Sequence, residues 1–318
     1  MSPQPVTNPK LFLILSETWT MTDPRELRRF VSYAAEAEQA GFDGVMVGEH
    51  VVMGPNSAFK GEPNNPREWL MAGNQTPMYP HPSNIVLLSA MAQATSTLRL
   101  VAGAILSPLR HPLELANDLA TLDLVSEGRL VVVPGVSWQE EEYAALNVPF
   151  HERGKILDEQ LDIWHKLWTN GSPVSHHGKH FNFDDIYVEP QPFRPGGPEM
   201  WIGGKLFSPW AVRRAVKYGQ GFFPIIPASE AELAVLGDAM KAAGRDLSEL
   251  ELPAFIFGKP FKEADDLLDL DASLEVVPDM LTRGISTLIV KPSQYLNDGA
   301  DLGAFCRSVK SKVEALAG

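Results

Sequence analysis

The sequence predicts an α/β protein built as a (β/α)8 barrel of the TIM type, and two observations carry that prediction. Eight apolar runs of strand length, at residues 11–15, 45–47, 98–106, 130–133, 200–202, 222–226, 252–257 and 286–290, alternate with helical periodicity. No G-x-G-x-x-G follows the first run, where an open doubly wound sheet would hold a dinucleotide pyrophosphate, and no Walker-type loop is present. Near-continuous apolar strands imply a parallel sheet covered on both faces. A closed barrel fits them better than the doubly wound sheet, its runner-up.

Each element has its own signals. Asp23, Pro24 and Glu26 supply an N-cap, a proline at the first helical position and a capping-box carboxylate, which places the start of the first helix there. Leu27, Phe30, Val31, Ala34 and Ala35 recur at helical spacing, and Gly41 stands where a left-handed residue would end that helix. Further helices are expected over 112–124 and 302–316, and two within 138–168, the second with Leu157, Leu161, Trp164 and Trp168 on one face. Ser229 and Glu232 form another capping box. Two Pro- and Gly-rich insertions, about 51–82 and 170–198, interrupt the alternation. Such loops are usually lids or binding loops, with disordered surface as the alternative, and 180–188 alternates enough for a small hairpin. At 318 residues a single barrel domain spanning 1–318 is expected.

Composition narrows the partners. A formal net charge of −13, with no Lys/Arg-rich run, opposes the phosphate attraction on which nucleic-acid affinity rests and disfavours anionic membrane surfaces. The single cysteine, Cys306, excludes an internal disulfide framework and is expected as a small core residue. No apolar run reaches membrane-span length, and the first residues lack a signal pattern, so the cytoplasm is the expected location.

In a barrel of this kind the C-terminal strand ends build the site. Glu49 and His50 stand at such an end, where a histidine can act as acid or base and a neighbouring carboxylate can orient it or bind a ring nitrogen; capping of the strand is the alternative. After the third strand, Gly103 and Ala104 permit close backbone approach, and Arg110 and His111 precede a helix; a flat ring with an anion fits here, as does a tight turn with a solvated arginine. Ser137 and Trp138 lead into Glu140, Glu141 and Glu142, acidic residues that the helix dipole alone explains. Arg153, just beyond, can pair with one of them or with a ligand phosphate. Gly203, Gly204 and Lys205, and Gly221 farther on, offer backbone N–H groups and a cation suited to phosphate, or form ordinary turns. Glu17, Trp19, Trp69 and Tyr79 can wall an apolar substrate pocket. His176, His177 and His180 lack a carboxylate or cysteine at ligand spacing, so no metal is expected. No G-x-S-x-G elbow supplies a hydrolase nucleophile.

Taken in order, Gly41-Phe42-Asp43-Gly44 with Gly48-Glu49-His50-Val51-Val52, Arg110-His111-Pro112-Leu113, Leu122-Asp123 with Ser126-Glu127-Gly128-Arg129, Gly135-Val136-Ser137-Trp138 with Glu141-Glu142-Tyr143, and Trp201-Ile202-Gly203-Gly204 resemble the luciferase-like flavin/deazaflavin oxidoreductase superfamily over nearly the whole chain. The Gly-Glu-His-Val-Val segment is most similar to the branch that depends on coenzyme F-420, a deazaflavin. The resemblance implies hydride transfer between F-420 and a small-molecule substrate, with His50 and Glu49 at the reacting centre. It implies a strand bulge at Gly103-Ala104, often with a non-proline cis peptide, behind the ring. Ser137, Trp138 and Glu141 are implied along the cofactor's side chain, Gly203, Gly204, Lys205 and Gly221 around its phosphate, and a homodimer as the assembly. Sugar-phosphate dehydrogenases of the superfamily carry a catalytic carboxylate near the position held here by Trp138, so a sugar phosphate is not the expected substrate. The rival readings are an FMN-dependent monooxygenase and a non-catalytic flavin-binding partner subunit. An isomerase or aldolase using a Schiff base is more distant, because only Lys291 follows a core strand.

Overall fold

A computed structural model describes residues 4–68, 72–204, 207–258 and 261–318. Ten strands and ten α-helices occur among them: β1 Lys10–Ile14, α1 Leu27–Gln39, β2 Gly44–Val47, α2 Asn84–Ala94, β3 Arg99–Leu106, α3 Pro112–Val125, β4 Leu130–Gly135, α4 Glu140–Ala145, α5 Arg153–Asn170, β5 Val174–His177, β6 Asn182–Ile186, β7 Glu199–Gly204, α6 Pro209–Tyr218, β8 Gly221–Pro224, α7 Glu230–Ala242, β9 Pro253–Phe255, α8 Leu270–Leu274, α9 Val277–Thr282, β10 Thr287–Val290 and α10 Leu302–Ala317. Eight strands form one parallel sheet in the order β8-β7-β4-β3-β2-β1-β10-β9. Its two outer strands meet where Phe222 N–H donates to the Glu251 carbonyl at 2.9 Å, so the sheet rolls into the expected (β/α)8 barrel.

The all-apolar strands follow from burial on both faces. Along β1, Phe12 and Ile14 point into the barrel with Met46, Val101, Val131, Trp201, Phe223, Phe255 and Ile289, whereas Leu11, Leu13 and Leu15 pack outward beneath the helices. Burying each such side chain contributes roughly 1.5–3 kcal/mol. At the N-terminal end of the barrel, Arg99 sits over the Phe12 and Trp201 rings and pairs with Glu199 and Glu251, which closes that end. The open end is therefore the C-terminal one.

Gly41 ends α1 with φ +82° and Ser229 with Glu232 caps α7, both as the sequence predicts. The first helix starts later than expected. Asp23 accepts the Arg25 N–H at 2.8 Å and its carbonyl takes the Glu26 N–H, so residues 23–26 form a separate turn and α1 begins at Leu27. The second insertion carries an antiparallel hairpin of β5 and β6, which begins earlier than 180. Glu159 of α5 anchors it by accepting from His176 at 3.1 Å and from the His180 and Phe181 N–H groups. The histidine tract thus has a structural partner, and among the described residues no group of three or more His, Cys, Asp or Glu can hold a metal ion. Among the same residues no helix is long and apolar enough to cross a membrane.

Candidate active site at the C-terminal end of the barrel

A cavity of about 480 Å³ opens at the C-terminal strand ends. Its floor is the top of the barrel core, Ile14, Met46, Val133, Phe223 and Phe255. Its rim is polar, because there the strands stop pairing and their side chains no longer need to fill the interior. The first insertion folds across one side and contributes Ala72, Gln75 and His81. Two turns tie that insertion down: Asn65 Nδ2 donates to the carbonyls of Glu263 and Asp266 at 3.0 and 2.9 Å, and Arg67 pairs with Asn297.

Successive residues of an extended segment point to opposite sides, so Glu49 and His50 cannot share one partner. Glu49 turns under the β3 end: its carboxylate accepts the Leu106 N–H at 2.8 Å and a fork from Arg110 at 2.8 and 2.9 Å, and its side chain is 1% exposed. His50 turns the other way. Its Nδ1 lies 3.3 Å from Oε2 of Glu142, the fully buried third residue of α4. The same carboxylate accepts the Ser137 hydroxyl at 2.8 Å and the Val51 N–H at 2.7 Å. Burial would raise the Glu142 carboxyl, but the donors His50, Ser137 and Val51 together hold it below its ordinary range. Two residues bordering the cavity, Glu17 and Ser137, have left-handed backbone at φ 56° and 57°. Such conformations cost a non-glycine residue roughly 1–2 kcal/mol and gather at functional sites.

Gly103 and Ala104 form the bulge that the resemblance implies, with a register shift against β4, and the peptide between them is cis. Trp138 stands edge-on to His50, ring centroids 5.9 Å apart, on the cavity wall. Opposite, Gly203 and Gly204 border the cavity beside Arg214 of α6. A Cβ on Gly203 would stand 2.0 Å from the Phe223 carbonyl oxygen, so only glycine fits that strand crossing. Arg214 is 6% exposed, donates to Asp158 at 2.6 Å and to the Gly154 carbonyl at 2.8 Å, and stacks on Trp210.

The structure thus gathers Glu17, Glu49, His50, Gly103, Ala104, Ser137, Trp138, Gly203 and Gly204 around one cavity. Four expected members are elsewhere. Glu141 faces the first insertion and accepts from Asn56 at 2.9 Å, because one residue along a helix is about 100° of rotation; its neighbour Glu142 takes the inward position. Gly221 begins β8 at the far end of the barrel, where the Trp201 indole occupies the space a side chain would need. Trp19 packs on Phe30 behind the rim at 5.6 Å, and Tyr79, partly buried, does not border the cavity. Trp69 and Lys205 lie outside the described residues. Arg153 pairs with none of the α4 glutamates; it donates to the Phe150 carbonyl at 2.8 Å and lies over the Phe150 ring.

Three cavity residues, and the Glu142 carboxylate behind His50, carried no sequence signal that singled them out: Gln75 and His81 in a loop, Arg214 on a helix, and Glu142 within an acidic first turn. His81 sits 5.0 Å from His50, ring to ring. Burial, with His50 beside it, pushes its pKa down to about 4.

The sequence and the barrel fold have counterparts among known proteins. An uncharacterised protein of Mycobacterium tuberculosis is 30% identical over 203 residues, 57% of this chain and 71% of its own length. The F420-dependent glucose-6-phosphate dehydrogenase of Nakamurella multipartita is 26% identical over 281 residues, 82% of this chain and 69% of that protein. Among solved structures, a monooxygenase of Streptomyces bottropensis superposes with a TM-score of 0.72 at 20% identity, covering 96% of this chain and 98% of that one. The family model described as luciferase-like monooxygenase matches residues 11–258, from the first barrel strand to just beyond β9, and the chain belongs to that family.

Proposed function

We propose that the protein is an oxidoreductase that transfers a hydride between coenzyme F-420 and a small organic substrate, with His50 as acid or base. The observation that carries this reading is the array His50–Glu142–Ser137 opening on a cavity floored by apolar side chains. When a hydride moves to or from a carbon–oxygen bond, a proton must move at the oxygen. A histidine backed by a carboxylate is a group suited to that task. The similarity to the F420-dependent dehydrogenase over 82% of this chain supports the deazaflavin as hydride carrier.

The residues present fit such a cofactor. Small residues at the cavity wall, Gly48, Gly103, Ala104 and Gly135, present little beyond backbone to a flat ring, and the strand ends there pack tightly: a Cβ on Gly48 would stand 3.0 Å from the Gly103 carbonyl, and one on Gly135 2.9 Å from the Ala104 methyl. Trp138 bounds the same space, and Gly203, Gly204 and Arg214 offer close backbone approach and a buried cation to an anionic tail. When bound, the deazaflavin supplies the carbon that takes or gives the hydride. The protein's own part is then to orient the substrate, exclude water with the first insertion, and hold or move a proton at His50, with Glu142 fixing the imidazole. The resemblance puts Trp138 near the position at which sugar-phosphate dehydrogenases of the superfamily carry a catalytic carboxylate, which supports a substrate of another class.

Titrating the apoprotein with F-420 and with FMN, followed by fluorescence, tests the reading. F-420 is expected to bind, and Arg214→Met to weaken it by about tenfold, as loss of one charge-assisted hydrogen bond would. Tight binding of FMN without binding of F-420 overturns the proposal and favours an FMN-dependent monooxygenase, the activity in the family's description.

A further inference from the structure

The first insertion sends two side chains to the cavity lining, and each carries a buried polar atom with no partner within the protein. Gln75 is 5% exposed, and its Nε2 donates to Oε1 of Glu17 at 2.8 Å. That bond fixes the amide: turned over, its oxygen would face a carboxylate oxygen. Glu17 is itself held from the far side by Lys291, 3.3 Å from its Oε2. The Gln75 Oε1 atom is left buried and unpaired, and it can only accept. The second is Nε2 of His81, also buried and unpaired, on a ring whose depressed pKa keeps it neutral at pH 7 and able to match a donor or an acceptor.

A site with a buried, unpaired acceptor already in place discriminates strongly in favour of ligands that donate to it, because only a donor relieves an acceptor that has lost water and gained nothing. A ligand bearing only carbonyl or ether oxygens leaves Gln75 Oε1 unpaired. A carboxylate ligand would set its charge against both that oxygen and Glu17. A hydroxyl or an amine donates to Gln75, and as a neutral or positive group it meets no repulsion from Glu17.

We propose that the substrate is recognised through a hydroxyl or amine that donates a hydrogen bond to Gln75 Oε1, with Glu17 locking the amide and His81 lining the same cavity. This deepens the functional reading above and rests on it only in taking the ligand of this subsite to be the substrate.

The test uses phenol, anisole and benzoate as probes, with dissociation constants from ligand-observed NMR on the protein loaded with whichever of F-420 or FMN it binds, and again without cofactor. Phenol is expected to bind at least about tenfold more tightly than anisole, with benzoate weakest. In Gln75→Leu the phenol-to-anisole ratio should fall to near one through loss of phenol affinity, with anisole unchanged. Glu17→Gln, which frees the amide to turn, should reduce the same ratio. Equal binding of phenol and anisole to the wild type, no phenol binding at millimolar concentration, or a ratio unchanged in Gln75→Leu overturns the inference. The wild-type comparison stands even where a variant does not fold. Failure of both cofactors to bind would overturn the hydride-transfer reading and leave the ratio on the apoprotein as the test of this one.

Discussion

His50 and Glu142 lie 92 positions apart in the chain and 3.3 Å apart in space, and the carboxylate is the more buried of the two, with no exposed surface. Burying a carboxylate so deeply is unfavourable unless donors surround it, and this one has the imidazole, a hydroxyl and the Val51 N–H. The arrangement defines which side of the His50 ring is fixed and which faces the cavity.

Glu142 is accordingly expected to act as a positioning residue. Glu142→Gln keeps the shape but turns one acceptor into a donor facing His50 or Ser137. Turnover is expected to fall by about 100-fold, the usual worth of a placed acid or base, with cofactor affinity nearly unchanged. The pH profile of kcat should change shape in Glu142→Gln and be restored by Glu142→Asp wherever the shorter carboxylate still reaches the ring. A kcat and pH profile equal to the wild type would remove Glu142 from the proton path.

His81 makes a second, thermodynamic prediction. Its pKa in the folded protein, about 4, lies below the ordinary value of 6.5, chiefly through burial and then through His50. A depressed histidine contributes stability fully above pH 6.5 and loses it as pH falls toward 4, because the unfolded chain binds the proton first. The full difference is on the order of 3 kcal/mol. Urea titrations at pH 7, 6, 5 and 4 should show the wild type losing stability faster than His81→Asn across that window. Parallel curves would mean that His81 titrates normally in the folded state.

The barrel was legible because its signals are repeated eight times. Each strand is apolar on both faces, and helix ends such as Gly41 and the Ser229–Glu232 box are written in local chemistry. The site was legible only where strand ends dictate it. Glu49, His50, Ser137 and Trp138 follow strands directly, and a barrel places such residues at its mouth. Side chains reaching the cavity from insertions or helix sides have no such rule. Nothing local distinguishes Gln75 from a loop glutamine, nor Glu142 from Glu141: one helical step separates a carboxylate under His50 from one against Asn56. Gly221 misled for the converse reason. A glycine can serve a phosphate or leave room for an indole, and Trp201 decides it only in three dimensions.

The role of Glu49 separates by a double-mutant cycle with Arg110. The pair is bidentate, and the Glu49 side chain is 1% exposed while that of Arg110 is 21% exposed, so the two single losses are unequal. Arg110→Met strands a buried negative charge and should cost about 3–5 kcal/mol of unfolding free energy. Glu49→Gln still accepts the Leu106 N–H and leaves an arginine that can reach water, so about 1 kcal/mol is expected. Removing both should cost less than the sum by roughly 1–3 kcal/mol, since the stranded charge is gone. Kinetics then decide what Glu49 does. If it braces the β2 and β3 ends, Glu49→Gln keeps kcat within a few-fold of the wild type once corrected for folded fraction. If it contacts the reacting centre, kcat falls by about 100-fold or more after the same correction, and the Arg110 pair is then a device for positioning a catalytic carboxylate.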